Sequence, residues 1–455
     1  MSHASLYIND AGITLQKDGK IVYCEPSYAW IGKNKVQLGI NAFSKSRITP
    51  QNIENRYWLD LSTTSYMIDH YKHLCSADIV SHEMQIIKSI IGKDSSLIIV
   101  VPPYLNNQQL SLFLGIANEL NIKITGFLES SVAATRREYK FATLVHLDLH
   151  LHCLSASIMN QNNKSSVNKS FIINDCGQLG FNNCWIKMIS QAFIKQCRFD
   201  PLHAAESDQQ LINNLTSWVA QSITKESVHL EIEYGNQSYE CDIQSSDFIL
   251  AVMPLYKSLF NKLRSIFQAE DLPAIQISNR IAKLPGLVDL LELKLSAAVF
   301  ENEKGSTVSG ASERFIDKEQ QDSSLKITQS LPWDKPSIKI NKVNRKMSVN
   351  DKPSHILFES IAYPIDSLPM MIGSNPSQKE NFLLISSNIT GISRNHCTVI
   401  MKNDRCILND LSRYGTYLND QRVEGSSILN TGDKIRIGSP GIEMMLITLG
   451  ETFGI

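Results

Sequence analysis

The chain reads IGS at residues 372–374, ISRNH at 392–396, DLSRYGTYLN at 410–419 and LNTGDKIRIG at 429–438. Short apolar runs alternate with these segments, and turn residues such as Gly, Asn, Asp and Ser separate the runs at close intervals. Short strands with this spacing indicate an all-β sandwich, because each strand ends in a turn before the next begins. We therefore expect an all-β domain over residues 354–450.

The four segments resemble, in order and spacing, the signature of the forkhead-associated (FHA) domain, a phosphopeptide-binding β sandwich. The resemblance implies that Ser393 binds phosphate, that His396 braces the loops from inside, and that Asn419 ties its loop to the peptide-facing surface. The other binding-loop residues that it implies are Ser374, Arg394, Arg413 and Tyr414, with Gly373 and Gly415 as structural glycines. His396 is expected to be a hydrogen-bonding residue and not a catalyst, because nothing nearby resembles a nucleophile.

The chain departs from the FHA pattern at two positions. Ser374 stands where the family usually has an arginine, and Tyr414 where it usually has an asparagine. A serine cannot supply the bidentate grip of a guanidinium on phosphate, so we expect Arg394 and Arg413 to substitute for it. The alternative is that the module keeps its fold and binds an unphosphorylated partner.

Residues 5–333 show a different pattern, in which strand-like runs such as 97–101 alternate with helical stretches such as 107–120. This alternation indicates an α/β domain. The region resembles the actin-like ATPase fold of DnaK-type chaperones and the filament protein MreB, which implies two similar lobes. The matching segments are NDAGIT at 9–14, KDGKIVYCEPS at 17–27, VPPYLNNQQ at 101–109, GFLESSVAA at 126–134, HLDLHLHC at 146–153 and LPG at 284–286.

The glycines that a nucleotide site of this kind needs are mostly absent. Polyphosphate must approach backbone N–H groups with no Cβ in the way, yet the turn after Asp148 carries His150, Leu151 and His152. Other expected residues are replaced at Phe43, Cys153, Ser155, Asn279 and Arg280. The residues that remain are Asp10, Gly12, Glu129 and Asp148. We expect a pseudo-ATPase without ATP, Mg²⁺ or enzymatic activity, and the alternative is a weakened nucleotide sensor.

A row of possible metal ligands follows one predicted strand. His146, Asp148, His150 and His152 would project from the same face, because side chains alternate along a strand. Neighbours in such a row stand roughly 6.5 Å apart, too far for four ligands on one ion. We therefore predict a polar cleft face and no metal site.

Composition limits the remaining classes of function. Lys and Arg (44) nearly cancel Asp and Glu (45), which gives no global reason to bind nucleic acid or a membrane. Residues 334–353 are poor in apolar side chains and predict a solvated linker, in spite of several basic residues. No signal-peptide pattern opens the chain, and its nine cysteines form no Cys-x-x-Cys pair, so we expect reduced thiols and a cytoplasmic location.

Together, these expectations indicate that the protein is an adaptor or scaffold in signalling. Its FHA domain would bind a protein that a Ser/Thr kinase has phosphorylated on threonine, and its pseudo-ATPase body would provide a second docking surface. The alternative is a chaperone-like, nucleotide-binding ATPase that the FHA domain recruits to phosphoproteins.

Overall fold

The computed structural model describes residues 3–33, 35–66, 74–92, 96–267, 271–315, 326–340, 353–376, 381–385, 390–402, 405–419, 421–423, 425–438 and 441–448. The chain divides into two compact units, Met1–Val343 and Asn344–Ile455. Within the described ranges, no helix is both long and apolar enough to cross a membrane. All nine cysteines are free thiols.

The first unit contains both strands and helices. Its strands are β1 (His3–Tyr7), β2 (Ile13–Lys17), β3 (Lys20–Glu25), β4 (Ala29–Gly32), β5 (Lys35–Leu38), β6 (Ile53–Glu54), β7 (Ser96–Val101), β8 (Lys123–Glu129), β9 (Tyr139–Lys140), β10 (Thr143–Leu149), β11 (Leu154–Asn160), β12 (Lys164–Ile173), β13 (Ser227–Tyr234), β14 (Gln237–Gln244), β15 (Pro273–Ile277), β16 (Ala298–Glu301), β17 (Ile327–Thr328), β18 (Ser330–Pro332) and β19 (Ile338–Lys339). Its helices are α1 (Ile40–Phe43), α2 (Ser76–Ile91), α3 (Asn107–Glu119), α4 (Ser130–Ala134), α5 (Gln178–Cys197), α6 (Ala205–Ser222), α7 (Ser245–Arg264), α8 (Leu287–Leu295) and α9 (Ser306–Arg314), with 3-10 helices at Pro50–Asn52, Asn174–Cys176 and Ile281–Lys283.

Two six-stranded sheets of the same design form the centre of this unit. Their strand orders are β17-β8-β7-β1-β2-β3 and β16-β15-β10-β11-β12-β18. In each sheet three consecutive antiparallel strands, β1–β3 or β10–β12, continue into parallel strands, β7 and β8 or β15 and β16. The predicted α/β class of this region is therefore confirmed.

The burial of individual elements fits this layered arrangement. Every residue of β7 is buried, as expected of a parallel strand inside a sheet that is covered on both faces. Helix α2 buries Ile79, Val80 and Met84 along one side. Helix α3 begins with a capping box between Asn106 and Gln109, whose backbone N–H groups and side chains bond reciprocally. The strand ends that carry the candidate cleft are thus held by a packed framework.

The first part of the predicted linker belongs to the first unit instead. Asp334 forms an ion pair with Arg136, and its backbone N–H donates to the Arg136 carbonyl at 3.2 Å. Strand β19 then pairs in parallel with β9. These partners lie about two hundred residues earlier in the chain, so local composition does not reveal them. Residues 341–352 of the predicted linker lie outside the described residues.

The second unit is an all-β sandwich, as predicted. Its strands are β20 (His355–Phe358), β21 (Ile361–Pro364), β22 (Met370–Gly373), β23 (Phe382–Leu384), β24 (Cys397–Lys402), β25 (Arg405–Asp410), β26 (Thr416–Leu418), β27 (Gln421–Arg422), β28 (Ser426–Leu429), β29 (Lys434–Ile437) and β30 (Ile442–Ile447). They form a six-stranded sheet, β21-β20-β30-β29-β26-β27, and a five-stranded sheet, β23-β22-β24-β25-β28. Alternate residues of both sheets, such as Ile372, Val399, Leu408 and Ile435, are buried in one core.

Candidate functional site

The loop after β22 and the loop before β24 touch through their backbones. The N–H of Ser374 donates to the carbonyl of Ser393 at 3.1 Å, and the N–H of Asn375 donates to that of Arg394 at 3.3 Å. A Cβ on Gly373 would collide with the Arg394 carbonyl oxygen. Glycine is therefore needed at this position for the two loops to approach each other.

His396 joins the loop before β24 to the loop between β25 and β26. Its Nδ1 accepts the N–H of Ser393 at 3.0 Å, so Nε2 carries the proton and donates to the Gly415 carbonyl at 3.3 Å. The ring is fully buried, and this burial lowers its pKa and favours the neutral form. The side chain thus braces two loops from inside and is not available to a ligand.

The Ser393 hydroxyl lies where these loops meet. Its Oγ accepts the backbone N–H of Arg413 at 3.2 Å. Since a hydroxyl can accept and donate at the same time, its own proton stays available, and no acceptor for it is found among the described residues. Ser393 is therefore oriented by the protein and still able to donate to an incoming oxygen.

Asp410 fixes the turn that carries Arg413 and Tyr414, a role that the sequence reading missed. Its carboxylate accepts the N–H of Ser412 at 3.0 Å and the hydroxyl of Thr416 at 2.8 Å. Partial burial raises the pKa of this carboxyl, but the hydrogen bonds from Ser412 and Thr416 outweigh burial and leave the pKa below its usual value. An Asp followed two residues later by Ser is a turn-forming pattern, and this pattern is the sequence signal from which the role of Asp410 could have been predicted.

Among the described residues of these loops and the hairpin after them, three arginines carry positive charge. Arg394, Arg413 and Arg422 are exposed, and none has an ion-pair or side-chain hydrogen-bond partner among the residues that the structure describes. The hairpin of β26 and β27 places Arg422 opposite Tyr417, and its guanidinium lies against Gly415. Sequence reading anticipated Arg394 and Arg413 but missed Arg422.

The remaining predicted binding residues differ in their access to a ligand. The Tyr414 side chain is 64% exposed. The Ser374 hydroxyl is directed to its neighbouring loop, at 3.5 Å from the Ile392 carbonyl. The Asn419 amide, predicted to serve the peptide-facing surface, instead donates to Asp433 at 2.7 Å and accepts the N–H of Lys434 at 2.9 Å. Asn419 therefore joins two strand ends within the sandwich.

In the first unit, Asp10 and Asp148, two of the residues predicted to remain from a nucleotide site, form hydrogen bonds within the protein. Oδ1 of Asp10 accepts the backbone N–H of Leu151 at 2.7 Å, and its buried Oδ2 has no hydrogen-bond partner among the described residues. Asp148 accepts the hydroxyl of Tyr7, which lies 141 residues away in the sequence. Burial alone would raise the pKa of Asp148, but the nearby His150 and Arg280 lower it below the usual value. Asp148 is therefore an ionised carboxylate with internal partners.

Arg280 lines the cleft beside these carboxylates. The cleft has a volume of about 210 Å³, and Gly12, Asp148 and Arg280 are among the residues that line it. The Arg280 guanidinium donates to the Gly12 carbonyl at 2.8 Å, and a Cβ on Gly12 would lie 2.6 Å from it. The sequence analysis noted Arg280 only as a residue that replaces an expected glycine. In the structure, its side chain occupies the space over the Gly12 hairpin.

Glu129, at the end of β8, is buried with one oxygen unsatisfied. Its Oε2 accepts the hydroxyl of Ser131 and the N–H of Val132, but its Oε1 has no hydrogen-bond partner within the described ranges. Burial raises the pKa of this carboxyl to about 7. Glu129 is thus largely protonated at slightly acidic pH.

The prediction that His146, Asp148, His150 and His152 project from one strand face is wrong for the last two, because β10 ends at Leu149. His150 lies in the following turn, where its Nε2 is 3.0 Å from the Ser155 hydroxyl and its ring meets Tyr104 edge-on. His152 lies further along, with its Nε2 3.0 Å from the Asn55 carbonyl. Among the residues that the structure covers, no group of three or more His, Cys, Asp or Glu side chains is arranged to hold a metal ion.

Comparison with known proteins identifies one part of the chain. The family model of the FHA domain matches residues 370–438, which include the loops from Gly373 to Asn419. No curated protein gives a significant match to the chain. The FHA prediction is therefore confirmed for the C-terminal module, and FHA domains generally mediate phosphopeptide-dependent protein interactions.

Proposed function

We propose that this protein is an adaptor whose FHA domain binds a phosphothreonine segment of a partner protein. The observation that carries this proposal is the geometry at Ser393. Its hydroxyl is held by the N–H of Arg413 with its proton available, and the exposed guanidiniums of Arg394 and Arg413 belong to the same two loops. Donors and unpaired positive charge are what a phosphate requires.

The recognition step follows from the charge of the ligand. A phosphothreonine carries a charge of about −1.5 to −2 and three strong acceptor oxygens. Ser393 would donate one hydrogen bond, and Arg394 and Arg413 would supply charge-assisted ones, each worth roughly 1.5–3 kcal/mol. His396 and Asp410 already hold the loops, so little ordering of the protein opposes binding. Without an arginine at Ser374, we expect affinity below the FHA norm.

The first unit would act as a second docking surface and not as an enzyme. Its two sheets have corresponding arrangements of antiparallel and parallel strands, which supports an actin-like ATPase ancestry with two similar lobes. The Arg280 guanidinium over Gly12 and the bulky turn at His150 support a cleft that accepts no nucleotide phosphate. We therefore assign it no ATP, no Mg²⁺ and no hydrolysis.

A peptide titration tests the proposal on the full chain. Phosphorylated and plain versions of a degenerate threonine peptide library are compared for binding to the wild type and to Ser393→Ala, Arg394→Gln and Arg413→Gln. We expect phosphate-dependent binding that each variant weakens by about ten- to a hundredfold, and that Ser374→Arg strengthens. Arg405→Gln, which removes an exposed arginine from the far end of β25, should leave binding unchanged. Equal binding of both libraries would contradict the proposal.

A further inference from the structure

We infer that the outer face of the five-stranded sheet in the second unit is a dimer interface, on which a second copy of this chain packs. This face is formed by strands β22, β23, β24, β25 and β28, and not by the loops that carry Ser393, Arg394 and Arg413. The inference therefore goes beyond the proposed function, because it assigns a partner to a surface that takes no part in phosphate recognition.

Every strand of this sheet directs a large apolar side chain away from the core. The core side of the strands carries Ile372, Leu383, Val399, Leu408 and Leu429. Because side chains alternate along a strand, the residues next to these point outward. They include Met371 on β22, Phe382 on β23, Ile400 on β24, Ile407 on β25 and Ile428 on β28. The outer face of an antiparallel sheet is usually polar where it meets water, and here it is apolar at these positions.

These five side chains form one continuous band. Ile407 lies between Ile400 and Ile428 in the register of the two neighbouring strands. Met371 lies opposite Phe382 and diagonal to Ile400. Side chains directly opposite each other are about 5 Å apart and diagonal ones about 7–8 Å apart, so each is within reach of the next. Phe382 is 44% exposed and Ile428 is 50% exposed, and the three between them are half-buried.

The outer face of the six-stranded sheet has a different character. Its strand β29 directs Lys434 and Arg436 outward, and Lys434 pairs with Glu443 of β30 at 3.8 Å. On the five-stranded sheet, the charged outward residues of the described strands are Lys402, at the end of β24, and Arg405, at the start of β25. The band itself carries no charge that favours contact with water. A continuous apolar surface of this kind indicates an interaction site.

The features of the band favour a second copy of the chain as its occupant. A two-fold axis brings a surface patch against itself, and an apolar patch is complementary to itself. Lys402 and Arg405 lie opposite each other at one end of the strands. An axis that runs across the strands therefore places the cations of the two copies at opposite ends of the interface, where they do not repel each other.

The size of the face sets the strength of the expected dimer. Five strands about 4.8 Å apart, with about six residues of 3.3 Å each, give roughly 500 Å² per copy and about 1,000 Å² for the pair. This area is close to the lower limit for a specific interface. We therefore expect a weak dimer whose population depends on protein concentration.

Sedimentation velocity of the full chain, at concentrations of about 1 to 100 μM, tests this interface. The wild type should shift from monomer towards dimer as its concentration rises. Ile428→Glu and Phe382→Glu each place a charge in the apolar band twice, because the two-fold axis repeats the substitution, and should weaken dimerisation by about a hundredfold. The control is Ile361→Glu, since Ile361 is 56% exposed on β21, an edge strand of the other sheet. This variant should dimerise as the wild type does.

A wild type that stays monomeric over this range would overturn the inference, because the band would then be free or would bind a different protein. Dimerisation that persists in both Ile428→Glu and Phe382→Glu, or that Ile361→Glu weakens equally, would also overturn it, since the copies would then not meet through this face. Both replaced side chains are exposed, so both variants should fold, and circular dichroism checks this before sedimentation. The result from either folded variant decides the inference.

Discussion

The loops of the second unit and the cleft of the first unit both contain a glycine, polar side chains and arginine. They differ in whether these polar groups form hydrogen bonds within the protein. In the second unit, Ser393 and three arginines keep donors without partners among the described residues. In the first unit, Asp148, Arg280 and one oxygen of Asp10 bond to the protein itself, whereas Oδ2 of Asp10 and Oε1 of Glu129 have no hydrogen-bond partner among the described residues. The two regions therefore differ in exposure, because the unpaired donors at Ser393 belong to loops with exposed arginines and the unpaired oxygens of the cleft belong to buried carboxyls.

The largest difference between the two sites is expected in the free energy of unfolding that is lost when the glycine of each site is replaced by alanine. Gly373→Ala forces a Cβ against the Arg394 carbonyl, a backbone atom that cannot move away alone, and should cost about 3–5 kcal/mol of unfolding free energy. Gly12→Ala meets only the tip of the flexible Arg280 side chain and should cost about 1 kcal/mol. Scanning calorimetry of the full chain measures both effects.

The control for this contrast is Gly425→Ala. Gly425 has a φ of +74°, but no atom lies within 4 Å of the position that a Cβ would take, so only the backbone penalty of about 1 kcal/mol applies. Equal destabilisation by Gly373→Ala and Gly425→Ala would show that the contact between the loops at Ser393 is not tight.

The buried carboxyl of Glu129 should make the first unit less stable as pH rises. Its pKa is raised from the usual 4.5 to about 7, so the folded state retains a proton that the unfolded chain has lost. The stabilisation is fully present below pH 4.5, falls as pH rises towards 7, and amounts to about 3 kcal/mol. All five tryptophans lie in the first unit, so urea unfolding followed by tryptophan fluorescence reports this unit alone.

Glu129→Gln isolates this effect from that of the buried histidines. Burial lowers the pKa values of His146 and His150, so acid below their unfolded pKa of about 6.5 destabilises both proteins in the same way. The stability of the variant relative to the wild type should therefore rise between pH 4.5 and 7. A difference that stays constant with pH would show that Glu129 is ionised throughout.

Removing the positive charge of Arg280 from the cleft should have a smaller effect on the free energy of unfolding. Arg280→Ala deletes the bond to the Gly12 carbonyl and a positive charge near Asp148, and should cost about 1–3 kcal/mol in tryptophan-monitored unfolding. Lys283→Ala, an exposed change in the same cleft, should stay within about 0.5 kcal/mol of the wild type. Similar values for the two variants would mean that Arg280 does not hold the cleft.

The sequence was most informative where function depends on local spacing. Gly373, Ser393 and His396 belong to two of the segments that carry the FHA resemblance, so this resemblance alone places them in adjoining loops. Arg422 was missed because it lies outside the four segments that carry the resemblance, and the β26–β27 hairpin brings its side chain back to Gly415. The predicted surface role of Asn419 likewise did not show that Asp433 and Lys434 take up its amide.

Contacts between distant segments account for what the sequence did not show in the first unit. The α/β alternation was readable from apolar runs, but the bond between Tyr7 and Asp148 joins different sheets. Arg280 reaches Gly12 over 268 residues. The linker boundary shifted for the same reason, since Arg136 attaches Asp334 to the first unit. Composition predicts the class of a segment and not its distant partners.

Calorimetry of the full chain with each candidate ligand tests most directly the claim that the loops at Ser393 bind a phosphopeptide and that the cleft at Arg280 binds no nucleotide. The chain is heated alone, with ATP and Mg²⁺, and with a saturating phosphothreonine peptide, and tryptophan fluorescence identifies the transition of the first unit. The peptide at about 100 times its Kd should stabilise the second unit by roughly 2.7 kcal/mol, and ATP should shift neither transition. A rise in the tryptophan-reported transition with ATP, or none in the other with the peptide, would contradict the account.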